Sequence, residues 1–258
     1  MKNFCCIFIV CLGLFQCLPK RNVVPDTADS PFISEIRTDG KLQMAFLYNA
    51  QNQIVEIQKY FDDGTSLWES TRYTWKNNRL DRSEFWSSHP LHLSSWPRPG
   101  KPLTLQNWET YEHDSQGRIV KQLNYLNNSG GNDYRSYSVI KYDNLGRKTE
   151  TNSFTPEGRE INTNIFIYDN RNNLLQWMSS HWEYDDKPNP FRKLNVPRQD
   201  ESWASANNAT SNFSRDGNGA KSNVWNYDYT YNPDNGFPIA MKTSVAGQPA
   251  RQSIFVYR

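Results

Sequence analysis

Polar and apolar residues alternate with period two along most of this chain. In 224–231, Trp225, Tyr227, Tyr229 and Tyr231 share one face, and Asn226, Asp228 and Thr230 share the other. In 160–168, Ile161, Thr163, Ile165 and Ile167 oppose Asn162, Asn164 and Phe166. Such alternation predicts β-strands, and it pins their register, because a one-residue slip would expose a whole buried face. Turn residues cut the chain into short pieces, as in an all-β protein. The pieces predict about fourteen strands: 32–37, 42–48, 54–61, 67–75, 80–86, 103–113, 118–126, 134–142, 147–154, 160–168, 174–184, 224–231, 237–245 and 251–257. No helical period of 3.6 follows the first eighteen residues.

One phrase recurs between these strands. It reads aromatic, Asp or Asn, two or three turn residues, Gly or Asn, Arg, then an apolar residue. The clearest copy is Tyr142-Asp143-Asn144-Leu145-Gly146-Arg147, and others begin at Tyr48, Trp75, His113, Tyr168 and Tyr231. A strand, a tight Asp/Asn/Gly turn and a second strand make a β-hairpin. Six copies predict a repeat protein, an antiparallel all-β meander curled or closed into a barrel-like sheet.

The phrase Tyr-Asp-x-x-Gly-Arg resembles the YD repeat of Rhs-type and insecticidal-toxin proteins. The chain is more similar to small exported bacterial YD-repeat lipoproteins with a porin-like barrel fold. Tyr184-Asp185-Asp186-Lys187-Pro188-Asn189-Pro190-Phe191 looks like that group's YD-x-K-x-NPF segment. Ser205-Ala206-Asn207-Asn208 resembles the S-x-NN segment after it, and 232–238 with Phe255-Val256-Tyr257 resembles its terminal hairpin. The resemblance spans roughly residues 40–258. It implies a fold and a location, and no activity.

Two stretches interrupt the meander. Residues 89–102 hold four prolines, which cannot pair inside a sheet. Residues 185–222 are long, polar and rich in Asn. A loop of that length is either a solvated insertion or a lid or binding loop.

Composition changes the picture of the core. Hydrophobic residues make up 36% of the chain while aromatics reach 14%, so Tyr, Trp and Phe must carry much of the packing. The nine tryptophans are core residues on one reading and binding platforms on the other. Net charge is +2 with no basic run, which argues against a nucleic-acid partner.

The N-terminus reads as an export signal: a positive start, then an apolar run over 4–18 that is too short to span a bilayer comfortably. All four cysteines, Cys5, Cys6, Cys11 and Cys17, lie within it. Leu14-Phe15-Gln16-Cys17 resembles a relaxed lipobox, although Phe15 and Gln16 are larger than usual. Cys17 is then a lipidation site; the alternative is cleavage further on. The division follows: 1–17 signal peptide, 18–31 flexible tether, 32–258 β domain. With no thiol after Cys17, the domain has no disulfide and no Cys-ligated metal.

No local catalytic motif, cofactor motif or metal-ligand spacing stands out. His89 and His92 point apart on an extended chain, and His113 occupies the aromatic slot of its repeat. Asp216-Gly217-Asn218-Gly219 lacks the further acids of a calcium loop. The candidate ligand-binding residues are Trp177, His181 and Trp182, which are neighbours in sequence, and Trp225, Tyr227 and Tyr229 on one strand face. The expected protein is a non-enzymatic binding or scaffold protein, exported and anchored by lipid in the bacterial cell envelope at the outer membrane, with a glycan or other envelope ligand. Periplasmic or secreted locations are the alternatives. A carbohydrate-active enzyme with carboxylates inside the curled sheet is the alternative function, and an outer-membrane barrel the third.

Overall fold

A computed structural model describes residues 31–89, 99–128, 131–194, 196–197 and 200–258. The leader, Cys17 and His92 lie outside these. Sixteen antiparallel strands form a closed barrel. The first eight are β1 (Ile33–Thr38), β2 (Lys41–Tyr48), β3 (Ile54–Tyr60), β4 (Leu67–Lys76), β5 (Arg79–Ser87), β6 (Thr104–His113), β7 (Ile119–Asn128) and β8 (Gly131–Tyr142). The second eight are β9 (Lys148–Phe154), β10 (Glu160–Tyr168), β11 (Leu174–Trp177), β12 (Ser180–Pro188), β13 (Asn207–Arg215), β14 (Lys221–Tyr231), β15 (Pro238–Val245) and β16 (Arg251–Tyr257). Each strand pairs with its sequence neighbours, and β1 pairs with β16 to close the wall.

The architecture matches the expected meander, with two strands more than the sequence pattern predicts. The predicted strand 174–184 is two strands, because the chain turns at Met178, whose φ is 52°. Neither Gly nor Asn marks that turn. The other addition is β13, which lies inside the predicted loop 185–222.

Each part of the repeat has a physical task. In the clearest copy, Asp143 Oδ1 accepts the amides of Leu145 and Arg147. Gly146 takes φ 77°, which suits glycine. Asp143 Oδ2 accepts from Arg147 Nε at 2.7 Å, and the Arg147 guanidinium lies 5.0 Å over the ring of Tyr168, the next repeat's aromatic. Arg118 does the same with Asp114 and Tyr142. The aromatic itself donates to the first residue of the strand one hairpin earlier. Tyr142 bonds the Ile119 carbonyl at 2.7 Å, Tyr48 that of Ile33 at 2.8 Å, and Trp75 that of Ile54 at 2.7 Å. Tyr184 and Tyr257 bond Leu174 and Pro238 in the same way. Burial pushes the Tyr142 hydroxyl up to about 12, so it stays a donor. Arg258 stacks on Tyr48 and carries the pattern across the seam of the barrel.

Outward positions around the wall carry ion pairs: Glu56–Arg72, Glu84–Arg82, Glu112–Lys121, Glu150–Lys141 and Glu183–Lys221. Arg72 and Arg82 cover Trp86 and Trp108, so the outer aromatics are shielded by cations.

Replacing Arg147 with Ala removes one turn ion pair and one cation–π contact. The expected loss is about 1–2 kcal/mol of unfolding free energy. Urea denaturation checks this, and Arg135→Ala, which serves no repeat turn, should cost less.

Candidate functional site

A barrel of sixteen strands encloses a lumen too wide for wall side chains to fill. Here the chain itself enters. Between β12 and β13 it leaves the wall, runs through the interior and returns. This plug contains Phe191 and Leu194 and ends in one 3-10 turn, Glu201–Ala204, capped by Asp200. Leu194 is buried in the main core with Ile33, Ile36, Phe46, Ile57 and Phe255. Phe191 stacks on Trp203 at 4.3 Å, and both rings meet Phe46. The predicted long loop is therefore neither a solvated insertion nor an outer lid, because its Phe, Leu and Trp supply a core that the wall lacks.

The NPF and S-x-NN segments build the plug. Asn189 is buried and its amide donates to the carbonyls of Ser202, Trp203 and Ser205, while its oxygen accepts the Phe191 amide. Asn207 accepts from Asn173, and Asn208 donates to the carbonyls of Lys187 and Pro188. Asp185 holds the entry point. It accepts from the Tyr231 hydroxyl and from the amides of Lys187 and Asn208. Burial pushes the Asp185 carboxyl up from its ordinary value despite these bonds. Lys148 on β9 meets Glu201 at 2.7 Å, which ties the plug to the wall.

The plug fills only half of the lumen. Its apolar side chains pack on the apolar arc formed by β16 and β1 to β5. The opposite arc mixes polar residues with Ile140 and Phe166 on its inner face. Paired inward residues run Gln122, Ser138, Ser153 across β7 to β9, with Thr151 beside Asn164 on β9 and β10. Between this arc and the plug lies a cavity of about 1050 Å³. It reaches the end of the barrel that carries the repeat turns, where Asn52, Leu145 and Asn172 line it.

The cavity wall combines ring surface with unused polar groups. Phe166 and Trp177 are cross-strand neighbours with near-parallel rings 6.1 Å apart. The Trp177 indole N–H is turned away into the wall, where it has no acceptor among the described residues. Asn164 and Thr151 lie one step along the same face, and neither side chain has a hydrogen-bond partner among the described residues. The carboxylates at the cavity are engaged. Glu109 Oε2 accepts from Ser83 and from Tyr111 at 2.7 Å, Glu201 pairs with Lys148, and Asp200 caps the 3-10 turn.

The candidate residues separate accordingly. Trp177 lines the cavity. Trp182 is buried with Phe166 and Leu174. His181 is on the outer face, stacked on Phe213 at 5.5 Å, so the expected Trp177–His181–Trp182 cluster does not form. Period-two alternation puts His181 on the opposite face from Trp182. Tyr229 packs on the main core, where burial raises its hydroxyl, and Tyr227 is raised to about 12 by the same cause. Trp225 pairs with Asn212 and is 42% exposed; neither it nor Tyr227 lines the cavity. Among the described residues no cluster of three metal-ligating side chains occurs. Sequence reasoning missed Asn164, Thr151 and Phe166. Their signal was the inward faces of β9 and β10, which become legible only once the barrel assigns inside and outside.

No family model matches the sequence, and no curated protein does. Among solved structures, a porin-like protein from Bacteroides uniformis is similar with a TM-score of 0.52 at 12% identity, covering 88% of this chain and 98% of its own. A porin-like protein from Bacteroides vulgatus gives 0.41 at 11% identity, covering 88% and 99%. The first likeness shows a shared fold.

Asn189→Ala should remove the side-chain bonds to the Ser202, Trp203 and Ser205 carbonyls and loosen the plug. The expected cost is about 2–3 kcal/mol, given what buried unpaired groups cost. Denaturant unfolding reads the loss, and binding of a hydrophobic dye to the opened lumen should rise.

Proposed function

We propose that this chain is an exported, lipid-anchored envelope protein whose barrel binds a small glycan in its half-plugged lumen, without catalysing a reaction. One observation carries the reading: the cavity is lined by an aromatic platform, Phe166 and Trp177, whose near-parallel rings suit stacking against a sugar face. The adjacent Asn164 and Thr151 add adaptable polar groups, which is the mixture of apolar wall and few polar contacts that ligand pockets use. The carboxylates are all committed to structural partners, which favours binding over glycoside hydrolysis.

The location rests on the leader and on the outer wall. A lipid-facing charge costs about 2–4 kcal/mol at the bilayer midplane, and ion pairs run around this wall from β3 to β14. The barrel then stands in water, and acyl chains on Cys17 supply the membrane contact. The YD-repeat lipoproteins that the sequence resembles fit this reading. Cys17→Ser should release the protein from the membrane fraction and abolish labelling by a fatty-acid probe. Unchanged membrane association would overturn the anchor.

For the lumen, calorimetric titration with a panel of neutral oligosaccharides should find one that binds. Trp177→Ala should weaken it roughly tenfold, as loss of a stacked aromatic does. His181→Ala, on the outer face, should leave binding unchanged. Equal binding by Trp177→Ala, or none by any sugar, would contradict the reading.

A further inference from the structure

Among the described residues, the upper half of β10 has no strand partner on its β11 side. β10 pairs with β11 only through Phe166–Trp177, Ile167–Gln176 and Tyr168–Leu174. β11 is four residues long and turns back at Met178. β10 continues from Glu160 to Ile165 with β9 as its partner and no ladder on the other side among the described residues. The stretch is exposed on both faces: Ile161 is 56% and Ile165 50% exposed, and inward Asn162 is exposed as well.

An open strand edge presents unpaired N–H and C=O groups, and proteins usually guard such edges with charges, proline or a covering element. Residues 161–165 carry no charge and no proline. They read Ile-Asn-Thr-Asn-Ile, the same in both directions about Thr163. Two copies of this edge laid antiparallel therefore match residue for residue. Ile161 meets Ile165 of the other copy on the outer face, with Thr163 against Thr163. Asn162 meets Asn164 on the inner face, where the amides can hydrogen-bond. Such like pairs are the unit of sheet stabilisation.

We propose that two copies of this protein join edge to edge through β10, about a two-fold axis at Thr163. The contact is isologous, so it closes at two copies and leaves no free edge to propagate. Its length is limited by Trp177, which already occupies the place opposite Phe166. A second copy explains the edge better than a foreign strand does, because only the same sequence run backwards is guaranteed to match the palindrome.

A single cysteine tests this. No cysteine follows Cys17, and every strand finds both of its neighbours within 33–257, so residues 31–258 form the barrel without the leader. In that protein Thr163→Cys is the sole thiol, and the axis places it opposite itself. Directly opposed strand residues have Cα atoms about 4.5–5.5 Å apart, within disulfide reach. Mild oxidation should cross-link Thr163→Cys roughly tenfold or more faster than Thr65→Cys, an exposed turn thiol, because pairing raises the effective concentration. The unmodified barrel should sediment as a dimer at high micromolar concentration. Ile161→Lys with Ile165→Lys should make it a monomer with an unchanged circular dichroism spectrum. A monomer that cross-links no faster through Thr163→Cys than through Thr65→Cys would overturn the proposal. So would a dimer indifferent to both lysines.

Discussion

The width of its own lumen constrains this molecule more than anything else. Sixteen strands close a wall, but side chains projecting from such a wall cannot meet in the middle. Something must fill the interior, or it stays wet. This chain does both. The segment between β12 and β13 brings Phe191, Leu194 and Trp203 to the arc that carries Ile36, Phe46, Ile57 and Phe255. The arc with Gln122, Ser138, Thr151, Ser153 and Asn164 mixes these polar groups with apolar ones such as Ile140 and Phe166, and keeps its cavity. The split between packed core and binding space follows from which inward positions are apolar and which are hydroxyl or amide.

The repeat solves a different problem, the rigidity of a large ring. A wall held only by strand pairing can slip, since bulges interrupt most of its ladders. Tyr48, Trp75 and Tyr142 at repeat turns reach back one hairpin to a strand's first carbonyl, and Arg118 and Arg147 reach forward to the next aromatic. Neighbouring hairpins are therefore fixed at one end of the barrel in both directions. The same end carries the mouth of the cavity, so the fixed rim and the opening coincide. The other end is less regular, and there the short β11–β12 hairpin leaves β10 uncovered.

Much of this was legible in the sequence. Period-two alternation put Tyr227, Tyr229 and Ile165 on faces that the barrel keeps, and the YD phrases located six of the hairpins. The turn at Met178 was not legible, since a left-handed residue there is neither Gly nor Asn. β13 was hidden by its own composition, because Asn207, Asn208 and Asn212 read as loop until β12 gives them carbonyls to bind. The plug was hidden for the same reason. Its polar residues satisfy backbone groups inside the barrel, so a segment that looks solvated is interior. Of the candidate site, the sequence pointed to Trp177 and set beside it His181, which the strand's alternation sends to the other side of the wall.

The central claim is that the segment from Asn189 to Asn207 is packed inside the barrel. Amide hydrogen exchange tests it most directly. The account predicts strong protection of the Leu194, Ser205 and Asn207 amides, which donate to Phe191, Ser202 and Asn173 inside the lumen. Their exchange should match that of β-strand amides such as those of Ile57. Exchange as fast as in the exposed turn around Gly247 would place the segment outside the barrel and contradict the account.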